Sequence, residues 1–143
     1  MDIRPFNLDD EPAVIGLWDE CGLTRPWNDA RKDIQRKLQV QPDLFLVGVD
    51  GGRVIATVMA GYDGHRGWIN CLAVAPPYRR RGHGGRMMEE ALRLLAQMGC
   101  PKVNLQVRSS NADVIAFYEQ LGFVVDDVVS LGKRLVSDEA PRP

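Results

Sequence analysis

Nothing in this sequence offers a metal ion or a redox couple an obvious home. The three cysteines, Cys21, Cys71 and Cys100, are widely spaced and form no C-x-x-C pair, and there are two histidines, His65 and His83. The cysteines read as reduced, mostly buried thiols, and no metal is expected. An excess of charge of one sign is also missing. Eighteen Lys and Arg residues against nineteen Asp and Glu leave a net charge of -1, which argues against the broad positive field that drives non-specific nucleic-acid binding. No nucleic-acid partner is expected, and any polyanion site has to be local. Long apolar runs are absent as well. The longest, 44–49 and 54–61, fall far short of the roughly 18 residues a membrane span needs and read as strands. The first residues lack a basic stretch followed by an apolar one, so no secretory signal is read there, and a cytoplasmic protein without membrane attachment is expected.

What is present fits one domain. The 143 residues are 45% hydrophobic and 26% charged, within the usual size of about 100 to 150 residues for a single core. A single domain is expected over residues 1–136. Residues 137–143, polar and proline-rich, read as a short disordered tail.

A short alternating segment at 3–6 precedes Asp9, read as the N-cap of a helix through Val14, Leu17 and Trp18 that stops at Gly22. A second helix is expected from Asn28 or Asp29 through Ile34 and Leu38. Asp50-Gly51-Gly52 lies between two β-branched runs, which predicts a tight hairpin, and residues 63–67 turn the chain into a third strand at 68–74. The three strands read as an antiparallel meander. After Pro76 and Pro77, the helical period of Met88, Ala91, Leu92 and Leu95 runs to a stop at Gly99 and Pro101, and a strand at 103–107 follows. Ser110 and Asp113 resemble a capping box for a helix through Ile115, Phe117 and Leu121, ended by Gly122. Residues 123–125 and 128–131 read as closing strands. The expected class is α+β: a mixed, mostly antiparallel central sheet flanked by about four helices, with one strand-helix-strand crossover from 68 to 107.

The crossover carries the most informative segment, Arg79-Arg80-Arg81-Gly82-His83-Gly84-Gly85. Each glycine costs roughly 0.5–1 kcal/mol relative to alanine inside a helix, yet three stand where one begins. Glycines let a backbone approach a ligand, and the free amides of a helix start form an anion site beside the positive end of the dipole. A flexible basic loop, or an arginine patch for RNA, is the alternative reading of the string alone. It is no Walker motif, because no Lys followed by Ser or Thr comes after the glycines. Nor is it a dinucleotide fingerprint, because Met87 stands three residues past Gly84 and the hairpin contradicts an all-parallel start.

The pattern Val74-x-Pro76-x-x-Arg79-x-x-Gly82-x-Gly84 resembles the acetyl-CoA signature of the GNAT N-acetyltransferases. The resemblance extends over almost the whole chain and includes a second element at Asn111, Phe117, Tyr118, Gly122 and Phe123. The runs at 25–28, 61–67 and 130–135 are similar to a bacterial YpeA-type subgroup. The resemblance implies acetyl-CoA as co-substrate, a primary amine of a small molecule or protein as acceptor, and a fold in which the strand at 68–74 splays from the one at 103–107 at the cofactor cleft. It implies that Leu72, Ala73 and Val74 hydrogen-bond the pantetheine arm and that the amides of Arg79, Arg80, Arg81, Gly82, His83, Gly84 and Gly85 hold the pyrophosphate. Asn111 and Tyr118 join the cofactor site, with Tyr118 as general acid, although helical spacing alone also fits an aromatic packed on Phe117 and Phe123. Two helical turns set Asn111 and Tyr118 about 10 Å apart on one face. Trp27, Asn28 and Asp63 are candidates for the acceptor side. Many relatives carry a glutamate on the strand before the glycine turn, whereas Asn70 and Cys71 stand here, leaving the general base open among Asp63, a water chain, His65 and His83. A homodimer is expected by analogy. A CoA-binding sensor or scaffold without efficient chemistry is the alternative function.

Overall fold

The computed structural model describes residues 1–139. Five strands lie in the order of the chain: β1 (Asp2–Pro5), β2 (Phe45–Asp50), β3 (Arg53–Tyr62), β4 (Gly67–Val74) and β5 (Val103–Leu105). Neighbours are antiparallel except β4 and β5, which are parallel. Four helices, α1 (Glu11–Glu20), α2 (Ala30–Lys37), α3 (His83–Gln97) and α4 (Ala112–Gln120), complete the α+β domain. The β2–β3 hairpin closes through Gly51 and Gly52 with φ of 56° and 78°, the two positive values a tight primed turn demands. The parallel pair is joined through α3, as the crossover reading expects. No helix of the described residues is long and apolar enough to cross a membrane.

The period of two along the strands decides which helix covers which face. Phe45 stacks on Trp18 of α1, while a Cβ on Gly48, three residues further, would meet Met87 of α3. Helices α1 and α3 therefore pack on opposite faces, and β3 is buried on both: Ile55, Ala56, Thr57 and Val58 have no exposed surface. Such a strand reads as a continuous apolar run, as Val54 to Met59 nearly does.

Several boundaries differ from the sequence reading. Asp10, rather than Asp9, organises the start of α1. Its carboxylate accepts from the Asn7 backbone N–H at 2.9 Å and from both Arg4 terminal nitrogens at 2.7 and 2.8 Å, which holds its pKa below the usual carboxylate value. Asp29 caps α2 as expected, accepting from the amides of Arg31 and Lys32. The cap of α4 is Asn111, whose Oδ1 accepts from the Val114 amide, rather than Ser110.

The closing strands at 123–125 and 128–131 do not form. β5 stops at Leu105, two residues short of its expected end, so there is no backbone ladder for them to extend. This segment is instead linked to β5 by side chains. Lys102 Nζ and Asn104 Nδ2 donate to Asp126, and Gln106 donates to the Ser130 hydroxyl. Asp138, read as part of a disordered tail, is docked. Its carboxylate is buried against Arg36 and accepts from the Asp29 amide at 3.1 Å, and the Arg36 guanidinium holds its pKa down at about 2. The tail positions 140–143 lie outside the described residues.

Gly67 sets how closely β4, β5 and α3 approach at the start of the parallel pair. A Cβ there would lie 2.8 Å from Cys100 Sγ, 3.1 Å from Val103 Cγ2 and 3.3 Å from Leu95 Cδ1. Overpacking of this kind costs about 1–3 kcal/mol. Gly67→Ala is expected to lower unfolding stability by about that amount in denaturant titration, and an unchanged midpoint would show that β5 is not held against β4 at this point.

Candidate active site

The site begins where two strands part. β4 and β5 pair only through Gly67–Val103, Trp68–Asn104 and Ile69–Leu105. β4 continues five residues beyond Ile69 to Val74 without a partner on that edge among the described residues. Within this stretch the register with β3 slips by one residue, with Ala73 opposite Thr57 but Asn70 opposite Met59. The extra residue makes a bulge in which Cys71 has φ of 53°, a left-handed conformation that costs a non-glycine residue roughly 1–3 kcal/mol. Bulges re-aim the strand they interrupt. The Cys71 carbonyl here accepts from the Thr57 hydroxyl at 2.9 Å, and Thr57 Oγ1 accepts from Trp18 Nε1 at 2.9 Å. Burial and the Asp33 carboxylate push the Cys71 thiol up to about 11, so it stays protonated at neutral pH and is a poor nucleophile.

Beyond Val74 the chain makes one 3-10 turn, Pro76–Tyr78, and enters α3. Arg80 and the N-cap Gly82 are left-handed, with φ of 63° and 79°. Such alternation of backbone handedness gathers amides into a concave nest. The first backbone donor bonded to the helix start is Arg86 N–H, to Gly82 C=O, and no side chain caps this end. The amides of His83, Gly84 and Gly85 are consequently free, at the positive end of a 15-residue helix. His83 Nδ1 is buried without a hydrogen-bond partner. Among the described residues no ion pair involves Arg79, Arg80, Arg81 or Arg86. Arg81 lies over the Tyr78 ring at 5.7 Å. Arg79 turns its side chain back, donating through Nε to the Val74 carbonyl at 3.1 Å and through Nη2 to Cys21 Sγ at 3.4 Å. A free-amide nest with unpaired cations and an orphaned imidazole nitrogen suits a diphosphate.

The three glycines have separate reasons. Gly82 is required by its φ, and the space around it is open. Gly84 is required by packing: a Cβ would lie 3.2 Å from Phe117 Cζ and 3.7 Å from Val74 Cγ2. A Cβ on Gly85 would make only an ordinary contact, at 3.8 Å from Leu121. Through Gly84 the end of β4, the start of α3 and the middle of α4 meet. Tyr118 follows Phe117 in this junction, its ring 5.1 Å from that of Phe117 and 5.6 Å from that of Phe123. Burial pushes its phenol up to about 12. A cleft of about 390 Å³ runs beside the turn, lined by Gly82, Gly85, Arg86, Met88, Glu89, Leu92 and Leu121. A larger one, about 610 Å³ between Arg36 and residues 132–136, shares no residue with it.

The structure thus brings the end of β4 at Val74 and the start of α3 at Gly84 against Phe117, whose ring is the neighbour of that of Tyr118. Asn111 sits exposed at the start of α4 with its Oδ1 engaged in capping. Trp27 is 42% exposed, and Asn28 Oδ1 accepts from Arg134 at 3.2 Å, which places Asn28 beside the C-terminal segment. Asp63 stands at the opposite end of β4, roughly 23 Å from Val74 along the strand. Its carboxylate accepts from the amides of Arg66 and His65 and from Trp68 Nε1. Those backbone donors, Arg66 first, hold its pKa below the usual value, which makes it a poor base. Sequence reading missed Thr57. The one signal was a lone hydroxyl inside the apolar run 54–59.

The Acetyltransferase (GNAT) family model matches residues 11–123. The chain is 48% identical over 138 residues to an acetyltransferase of Pectobacterium atrosepticum, covering 96% of this chain and 98% of that one. It is 49% identical over 140 residues to an acetyltransferase of Sodalis glossinidius, covering 97% and 99%. Among solved structures, Ard1 of Thermoplasma volcanium superposes with a TM-score of 0.72 at 26% identity, over 87% of this chain and 83% of that one. A putative acetyltransferase of Agrobacterium tumefaciens, at 23% identity, shares the fold with a TM-score of 0.77 over 94% and 100%. The chain belongs to the GNAT family and is an acetyl-CoA-dependent N-acetyltransferase.

Separating the glycines gives a stability series. Gly82→Ala forces an L-residue into left-handed geometry and is expected to cost about 1–2 kcal/mol. Gly84→Ala needs the Phe117 ring to shift, whereas Gly85→Ala should be neutral or slightly stabilising through its helix propensity. Melting temperatures rank them, and a Gly85→Ala loss as large as that of Gly82→Ala would refute the division.

Proposed function

We propose that the enzyme moves the acetyl group of acetyl-CoA to a primary amine by direct attack in a ternary complex. The observation that carries this reading is the convergence of an unpaired strand edge, an uncapped helix start and a protonated phenol around the Gly84–Phe117 contact. Acetyl-CoA supplies the activated thioester. The free amides of His83, Gly84 and Gly85, with the arginines around them, would hold its diphosphate. The backbone of Leu72, Ala73 and Val74 would align the pantetheine arm along the edge that β5 leaves open. Asn111 would lie at the rim.

Tyr118 would donate a proton to the departing thiolate. A phenol at about 12 is neutral throughout the physiological range, so the donor is always loaded, while the same rise makes it a weaker acid than a thiol at about 8.5 and sets a cost on the transfer. With Cys71 protonated and half-buried, direct attack is favoured over an acyl-enzyme. Asn70 and Cys71 leave β4 without a carboxylate, which suits an acceptor that loses its own proton readily. An α-amine near pKa 8 is about one-tenth neutral at pH 7, whereas a lysine amine is neutral in fewer than one molecule per thousand. Trp27 and Asn28 would border the acceptor, with Asp63 in the turn that leads into β4. Free thiols at all three cysteines suit a cytoplasmic enzyme.

Calorimetry with the folded protein should give saturable acetyl-CoA binding, and no heat at millimolar cofactor would discard the reading. Tyr118→Phe is expected to lower kcat by roughly 100-fold or more while leaving cofactor affinity within about threefold. Equal losses in both would return Tyr118 to a packing role. The kcat/KM profile should rise with pH as the amine deprotonates. Because the phenol is raised rather than lowered, no falling limb from Tyr118 should appear below about pH 11. A limb near pH 9 would contradict the assignment.

A homodimer would cover the exposed Val124, Val125, Val128, Val129 and Leu131, which are between 71% and 92% accessible. Sedimentation equilibrium should give twice the chain mass at micromolar concentration, and a monomer mass would discard the dimer.

A further inference from the structure

Thr57 stands in the middle of β3 with no exposed surface, flanked by Ile55, Ala56 and Val58. Valine would fill nearly the same volume without burying a hydroxyl, so the hydroxyl needs a reason. The Trp18 indole can only donate, and it donates to Thr57 Oγ1 at 2.9 Å. The hydroxyl's single proton is then left for its other neighbour, the Cys71 carbonyl, also at 2.9 Å. Both polar groups are satisfied, and the direction of the chain of hydrogen bonds is fixed from α1 through β3 to the bulge in β4. That bulge holds Cys71 at φ 53°, a conformation a cysteine keeps only where its surroundings over-determine it.

We infer that Thr57, buttressed by Trp18, is a positioning residue for acetyl transfer. By holding the Cys71 carbonyl it keeps the bulge in one conformation, and so fixes the direction of the backbone of residues 71–74 on the open edge of β4. This rests on the reading that the thioester lies along that edge. Thr57 touches no reacting atom. It acts through the backbone of the neighbouring strand, while the phosphates are held independently at the Arg79 to Gly85 turn. Orientation of the acyl group and affinity for the cofactor are therefore separable.

The test compares Thr57→Val, which keeps the shape and removes the hydroxyl, with Thr57→Ser, which keeps the hydroxyl, in the full chain. Thr57→Val is expected to lower kcat by about tenfold or more, since small misplacements of a reacting group are costly. Its acetyl-CoA Kd should stay within about threefold of the parent, and Thr57→Ser should retain kcat within about twofold. Amide exchange at residues 70–74 should quicken in the valine variant and not in the serine variant. A valine variant with parental kcat, or a serine variant as impaired as the valine one, overturns the inference, as does a parallel loss in kcat and affinity. If the parent protein transfers acetyl to no amine, the proposed function falls. The exchange comparison still decides the tether, and unchanged exchange in Thr57→Val overturns it.

Discussion

The site depends on a strand pair that stops early. Parallel pairing between β4 and β5 lasts three residues, and the edge of β4 then runs on alone into a bulge. An open edge is a liability in most sheets because its amides and carbonyls invite another strand. Here the bulge twists the edge out of line, and Arg79 occupies the Val74 carbonyl, so the edge is a poor template for a strand while its remaining groups stay within reach of an extended ligand. Gly67 contributes at the other end of β4. By admitting Cys100, Val103 and Leu95 closely, it holds the two strands together at their start, so the divergence has a fixed origin.

The turn that follows shows how one short segment meets several demands at once. The left-handed Arg80 and Gly82 shape the backbone, Gly84 lets α4 approach, and the uncapped first turn of α3 supplies donors. None of these features lies in a side chain that recognises a ligand. A nest of backbone amides suits a diphosphate whatever the side chains around it. The Tyr118 ring is packed between Phe117 and Phe123. The packing that fixes its position also raises its pKa.

The local features were legible in the sequence. Asp50-Gly51-Gly52 announced its hairpin, the spacing of Met88, Ala91 and Leu95 announced α3, and the arginine-glycine string located the helix start, because each depends on residues a few positions apart. What escaped depends on distance along the chain. The valine-rich residues 123–131 have every propensity for strands, yet β5 ends too soon to offer them a ladder. Asp138 looks like tail composition until Arg36, 102 residues away, is placed beside it. The bulge at Cys71 is set by Thr57, 14 residues back, and by Trp18, another 39 residues from Thr57. No window of the sequence contains all three. At the start of α4 the miss was a single residue, Asn111 for Ser110, because both can accept from an amide and only the geometry selects one.

The four arginines around the glycine turn include no lysine or histidine substitute at Arg79, Arg80, Arg81 or Arg86. A guanidinium does not give up its proton in a protein, so this collar carries the same charge in acid and in alkali. Exposed charges of that kind are nevertheless weakened by dissolved ions over a distance of about 10 Å or less at physiological salt. Attraction of a polyanion by these arginines would consequently weaken as salt rises, with no change in their own charge. The charge of the collar is thus fixed by its residues, and its reach by the surrounding medium.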